Sequence, residues 1–179
     1  MLGAIPVVVD IDDTLTLDID AVKAVISPKT KAIMAVHMCG SMADLDALKH
    51  ISDTHNLFLI EDACQAIGGT YKGRALGTIG DLGCFSFDFV KTVTCGEGGV
   101  MITNNEQFYT HSDQFSDHGH DHQGSDRGAE THPVLGYNFR ISELNAAVGV
   151  AQFKRLDEFL AIQKNHYTII RTELSKLKG

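Results

Sequence analysis

Residues 31–62 read KAIMAVHMCGSMADLDALKHISDTHNLFLIED. Two short apolar runs, residues 31–37 (KAIMAVH) and 56–62 (NLFLIED), flank a segment, 41–55, whose apolar residues recur every three or four positions. Short unbroken apolar runs suit strands buried on both faces, and the recurrence suits a helix packed across them. Ser41 with Asp44 three residues on has the form of a near capping box. Strand, helix and strand in that order predict a parallel, doubly wound α/β sheet. Working outward, residues 4–10 read as an earlier strand and 18–26 as a helix with Asp18 at its cap. Downstream, residues 68–83 hold six glycines and suit turns around a short hairpin. Strands are expected at 83–87 and 99–103, and a helix at 105–115. Residues 116–135 are polar and His-rich, as a long loop would be. From Ser142 the pattern is helical to the end.

The bulk properties narrow the function. A chain of 179 residues, 44% hydrophobic, is long enough for one domain with a real core. Its net charge of −8 argues against a nucleic-acid backbone as partner. No apolar run approaches the ~20 residues of a membrane span, and the N-terminus lacks the basic flank of a signal peptide. The four cysteines form no CxxC pair and sit among apolar residues, as reduced thiols of a cytoplasmic protein would.

Four stretches carry chemistry. In Glu61-Asp62-Ala63-Cys64-Gln65, an apolar run delivers Asp62 to the C-terminal end of a parallel strand, where open α/β sheets place ligands. Gln65 shares a helical face with Asp62. Such a pair can hold a cationic ring nitrogen and a ring oxygen, or can equally be a helix cap and a surface amide. In Phe85-Ser86-Phe87-Asp88-Phe89-Val90-Lys91, a single lysine follows alternating aromatics. Apolar neighbours would strip its water and free its amine for imine chemistry; otherwise it is a surface lysine with a buried stem. Ser86 can donate to an anion. Gly96-Glu97-Gly98-Gly99 suits a tight turn that fixes the lysine loop. Gly136-Tyr137-Asn138-Phe139-Arg140 opens the last helix, where Asn138 or Arg140 suits an anion or a cap.

The sequence EDACQAIGGTYKGRALGTIGDLGCFSF, then Lys91, GEGG and GYNFRISELNAA, closely resembles the DegT-type sugar aminotransferases, fold-type I enzymes that use pyridoxal 5'-phosphate. The resemblance covers essentially the whole chain. It implies the aspartate aminotransferase-like fold, with residues 1–141 as the central part of the large cofactor-binding domain. Residues 142–179 would be a long helix leading toward a small domain that this sequence does not include. By the same resemblance, Lys91 attaches the cofactor and shuttles a proton, and Asp62 keeps the pyridine nitrogen protonated. Gln65 bonds the ring hydroxyl, Ser86 the phosphate, and Asn138 reaches the phosphate in the neighbouring subunit of a homodimer. The partners implied are a keto-sugar and an amino-acid donor.

Lys91, where related dehydratases carry His, favours transamination. The unusual DFVKTVTC segment and the long polar loop look most like members that aminate 3,8-dideoxy-8-oxo-manno-octulosonate, a lipopolysaccharide sugar acid, with glutamate as donor. The anion-binding turn and the stacking aromatic that the family carries earlier are not in this sequence either. A truncated chain with weak cofactor binding is therefore expected.

Two rival readings stand beside this one. VVVDIDDTLTLD (residues 7–18) resembles the nucleophile loop of a magnesium-dependent phosphatase built on Asp10. The later Ser or Thr, Lys and acidic pair that such an enzyme needs are not found in order, so these acids are expected to serve turns and caps. A non-catalytic relative that keeps the fold is the other alternative. His118, His120 and His122 with Asp121 could be drawn as a metal site, but a flexible loop does not orient ligands. A solvated or substrate-facing loop is expected there, with His118 toward the sugar and no metal.

Overall fold

The computed structural model describes residues 3–124 and 126–177. Asp18 caps α1 (Ile19–Val25), its carboxylate accepting the Asp20 and Ala21 N–H groups at 2.8 and 2.9 Å. Strand β1 (Ala32–Val36) leads through a 3₁₀ turn, Met38–Gly40, into α2 (Leu45–His55). Strand β2 (Phe58–Asp62) follows, then the two-residue strands β3 (Thr70–Tyr71) and β4 (Arg74–Ala75). Next come β5 (Leu82–Ser86), β6 (Gly99–Ile102) and α3 (Glu106–Ser116), and finally α4 (Glu143–Phe153) and α5 (Leu156–Leu174).

Strands β1, β2, β5 and β6 form one sheet in that order. The first three run parallel and β6 is antiparallel to β5, while β3 and β4 make a separate hairpin. The α/β class with a mostly parallel sheet is as expected. Leu45, Leu48 and Ile51 of α2 meet Ile33, Ala35 and Leu59 of the central strands in the main core. Each fully buried leucine contributes roughly 1.5–3 kcal/mol by leaving water. A smaller cluster gathers Phe87, Val93 and Cys95, with Leu156 of α5 against it. Strand β5 lies so close to the glycine turn that a Cβ on Gly83 would stand 1.9 Å from the Gly77 carbonyl oxygen. Only glycine permits that approach.

Three local expectations are corrected. Residues 4–10 join no sheet among the described residues, and Ile5 and Val8 are 87% and 93% exposed. Their pattern suits a strand, but a strand also needs a neighbouring backbone to pair with. Helix α2 begins four residues after Ser41: Asp44 caps it, accepting the Ala47 N–H at 3.1 Å, because the 3₁₀ turn occupies the chain before it. The single terminal helix is two helices, parted at Arg155 with φ −105° and ψ 4°. The break lets Leu156 turn onto the Phe87 cluster.

Candidate active site

Asp62 is the last residue of β2, in the middle of the sheet, in register with Val36 on one side and Cys84 on the other. This is the carboxyl edge of the parallel strands, where such sheets leave a crevice. The next residues hold it there. His37 N–H donates to the Asp62 carbonyl at 3.0 Å, and Ala63 N–H donates to the Cys84 carbonyl at 2.9 Å. Asp62 Oδ1 accepts the Cys64 N–H at 3.1 Å. Among the described residues its other oxygen takes no backbone hydrogen bond.

Gln65 is exposed, with Oε1 accepting the Cys39 N–H at 2.9 Å. Cys39 itself has φ 53°, which turns its amide toward that side chain. Ser86 ends β5 next to β2, and its hydroxyl accepts the Asp88 N–H at 3.3 Å. Between β5 and β6 the chain makes a closed loop. Phe87 N–H donates to Gly98 O and Cys95 N–H donates to Phe87 O, both at 2.8 Å. Lys91 sits in this loop, its N–H bonded to the Asp88 carbonyl at 3.0 Å. The GEGG turn thus closes the lysine loop, as its glycines suggest. Gln163 of α5 ties the far side, donating to Thr92 Oγ1 at 3.1 Å.

One feature of the lysine differs from the expectation. Phe89 and Val90 point outward, 71% and 68% exposed, so the apolar flank does not enclose Lys91. Lys91 is half-buried through the fold of its loop instead. Cys64, two residues past Asp62, responds to both charges. Burial, followed by the Asp62 carboxylate, pushes the Cys64 thiol up to about 12, while the charge of Lys91 pulls the other way.

Glu61, adjacent to Asp62, plays a part that the apolar run did not reveal. It is fully buried and accepts four hydrogen bonds. Oε1 takes the Ile79 and Gly80 N–H groups at 2.6 Å each, and Oε2 takes the Gly77 N–H at 2.8 Å. His37 Nε2 stands 3.1 Å from Oε2. His37 Nδ1 accepts the Ala43 N–H, so the ring proton lies on Nε2 and points at the acid. Burial alone would raise the Glu61 carboxyl, but the bond from His37 and the three backbone donors outweigh it and hold it below its ordinary range. Strand alternation is the sequence clue to this division of labour: neighbouring residues on β2 face opposite ways.

Asn138 is exposed and paired with Asp117 beyond the end of α3. No hydrogen bond joins it to Asp62, Gln65, Ser86 or Lys91 among the described residues. Asp62 and Gln65 stand at and just beyond the end of β2, Ser86 and Lys91 at and beyond the end of the adjoining β5, and Asn138 in the segment paired with the end of α3. The acids of the early turn serve that turn: Asp10 accepts the Ile11 N–H at 2.9 Å, and Asp12 the Thr14 N–H at 2.8 Å.

Over residues 1–179 the sequence matches the DegT/DnrJ/EryC1/StrS aminotransferase family. This chain belongs to that family. It is 38% identical over 177 residues to the GDP-perosamine synthase of Caulobacter vibrioides, covering 98% of this chain and 46% of that protein. With the L-glutamine:2-deoxy-scyllo-inosose aminotransferase of Streptoalloteichus tenebrarius it shares 40% over 182 residues, 98% of this chain and 43% of the relative. The structure of 3-amino-5-hydroxybenzoic acid synthase superposes with a TM-score of 0.89 at 37% identity, over 99% of this chain and 46% of that one. The chain spans about half the length of the curated relatives it matches. A further neighbour is the Escherichia coli GDP-4-keto-6-deoxy-D-mannose-3-dehydratase, solved with bound hydrated pyridoxal phosphate. It shows a TM-score of 0.79 at 29% identity, over 88% of this chain and 44% of that one. These relatives give the phosphatase reading no support. No described helix is long and apolar enough to cross a membrane.

Proposed function

We propose that this chain forms the cofactor-binding part of a pyridoxal phosphate-dependent aminotransferase that moves an amino group from an amino acid to a keto-sugar. The observation that carries the reading is Asp62 at the carboxyl edge of β2, beside the strand β5 whose following loop holds Lys91, in a chain of this family. The donor set fits the group: an acid, an amide, a hydroxyl and a primary amine stand on adjoining strand ends. When bound, the cofactor supplies an electron sink for the bond changes at the substrate carbon.

The chain's own residues then have distinct tasks. Asp62 would hold a proton on the ring nitrogen. Gln65 would meet the ring oxygen, and Ser86 would donate to the phosphate. The Lys91 amine would anchor the group and serve as the acid–base group for the proton moved during transfer. Asn138 would reach the corresponding site of a second subunit in a homodimer. We further propose 3,8-dideoxy-8-oxo-manno-octulosonate as acceptor and glutamate as donor, on the strength of the DFVKTVTC segment and the His-rich loop.

Borohydride reduction in the presence of pyridoxal phosphate, followed by peptide mass spectrometry, tests the assignment. The pyridoxyl group is expected on the peptide containing Lys91 and absent from Lys91→Ala. Labelling confined to other lysines, or none, refutes it. Asp62→Asn should keep the label and lose amino transfer.

A further inference from the structure

Nine histidines occur in the chain, and four of them, His118, His120, His122 and His132, fall within one short segment. The segment is irregular in backbone, as a long loop is, yet hydrogen bonds and ion pairs hold it. Asp117, at the C-terminus of α3, binds the guanidinium groups of Arg127 and Arg140, and His122 Nε2 stands 3.1 Å from its carboxylate. His122 Nδ1 in turn meets Asp113 of α3 at 2.6 Å. Thr131 donates its hydroxyl to Asp121 at 2.5 Å, and the Asp121 N–H donates to the Thr131 carbonyl at 3.0 Å. The segment is laced to itself and to α3.

We infer that this segment is a binding site for a divalent transition-metal ion, with Asp117, His118 and His120 as ligands and Glu130 orienting His120. One donor atom from each of the three ligands lies within 4.8 Å of the other two. Tetrahedral bonds of about 2.1 Å place donors roughly 3.4 Å apart, so rotation of the side chains must close the remaining distance. Imidazole and carboxylate together suit zinc and its neighbours in the first transition row.

The outer partners give independent support. Glu130, with a side chain only 9% exposed, sets Oε2 at 2.9 Å from His120 Nδ1. Yet neither buried atom has an aligned hydrogen bond. A carboxylate held against one nitrogen of an imidazole is the arrangement that fixes the other nitrogen on a metal. Turning the ring toward an ion would align this bond and relieve two buried polar atoms at once. His132 carries the same kind of support. Its Nδ1 donates to the His118 carbonyl at 3.0 Å, and its ring lies 4.2 Å from that of His120.

Arg140 is the competitor. Its Nη1 contacts Asp117 and lies 3.0 Å from His118 Nδ1. Arginine can only donate, so the lone pair of His118 Nδ1 is directed at that guanidinium. An ion that takes Asp117 and His118 must displace Arg140 and share Asp117 with Arg127 and His122. Removing Arg140 should therefore strengthen metal binding, an outcome that a purely structural ion-pair network does not produce.

The test uses the tag-free chain, stripped with chelator and dialysed against zinc, and then against cobalt for its spectrum. One zinc per chain is expected. His120→Ala should weaken binding at least tenfold, and Glu130→Gln about tenfold through lost orientation. Arg140→Ala should tighten it. Should the His120 variant not fold, the cobalt spectrum of the unaltered chain decides. Visible d–d bands without thiolate charge transfer support the site. No binding, a thiolate band, or zinc uptake indifferent to His118→Ala and His120→Ala overturns it. The outcome is independent of whether Lys91 carries a cofactor.

Discussion

Replacing Glu61 by Gln isolates the one buried charge behind the candidate site. Of its four hydrogen bonds, the two from Ile79 and Gly80 converge on Oε1 and an amide oxygen can keep them. The other two, from Gly77 N–H and His37 Nε2, would meet an NH₂ group, donor against donor. Losing two bonds to a charged acceptor, each worth about 1.5–3 kcal/mol, predicts a loss of about 3–6 kcal/mol. That is a large share of the ~5–15 kcal/mol that holds a typical domain folded. Urea unfolding followed by circular dichroism should show a lower midpoint with an unchanged slope. The variant should also lose a pH-dependent component. The folded Glu61 carboxyl lies below its usual 4.5, so its contribution is complete above that value and lost as pH falls through the folded value. Glu61→Gln should lack this decline. A loss under about 1 kcal/mol, with an unaltered acid profile, would refute the assignment of the turn at Gly77–Gly80 to this acid.

Two further outcomes probe the edge and its helix. Alkylation of Cys64 should be slow at pH 8, faster in Asp62→Asn and slower in Lys91→Ala, because the two charges push its thiol in opposite directions. Rates that do not respond in opposite senses would place Asp62 and Lys91 on separate spots; peptide mapping reads them out. For α2, Asp44→Ala should cost about 1 kcal/mol in thermal unfolding and Ser41→Ala close to nothing, with equal losses contradicting the observed cap.

What the sequence discloses follows what it encodes locally. The β1–α2–β2 unit is legible because both periodicities lie within about thirty residues, and Asp62 at a strand end is legible with it. Asp44 and Ser41 are both good caps, and only the preceding 3₁₀ turn chooses between them. Residues 4–10 have a strand's pattern without a partner, since pairing is a property of two segments. The break at Arg155 has no proline or glycine to announce it; Leu156 packing on Phe87 sets it. Glu61 and Asp62 look alike in sequence, and their division comes from which side of the sheet holds the glycine turn. The His-rich segment hides its order because its anchors, Asp113 and Arg140, lie outside it.

The neighbouring acids of β2 make that strand unusually intolerant of a change in length. A one-residue insertion or deletion would rotate each acid into the other's place. The interior would then receive a carboxylate on the wrong side of the turn amides, and the crevice one with no amide behind it. Folding and chemistry would fail together, whereas a substitution at either position can damage one and spare the other.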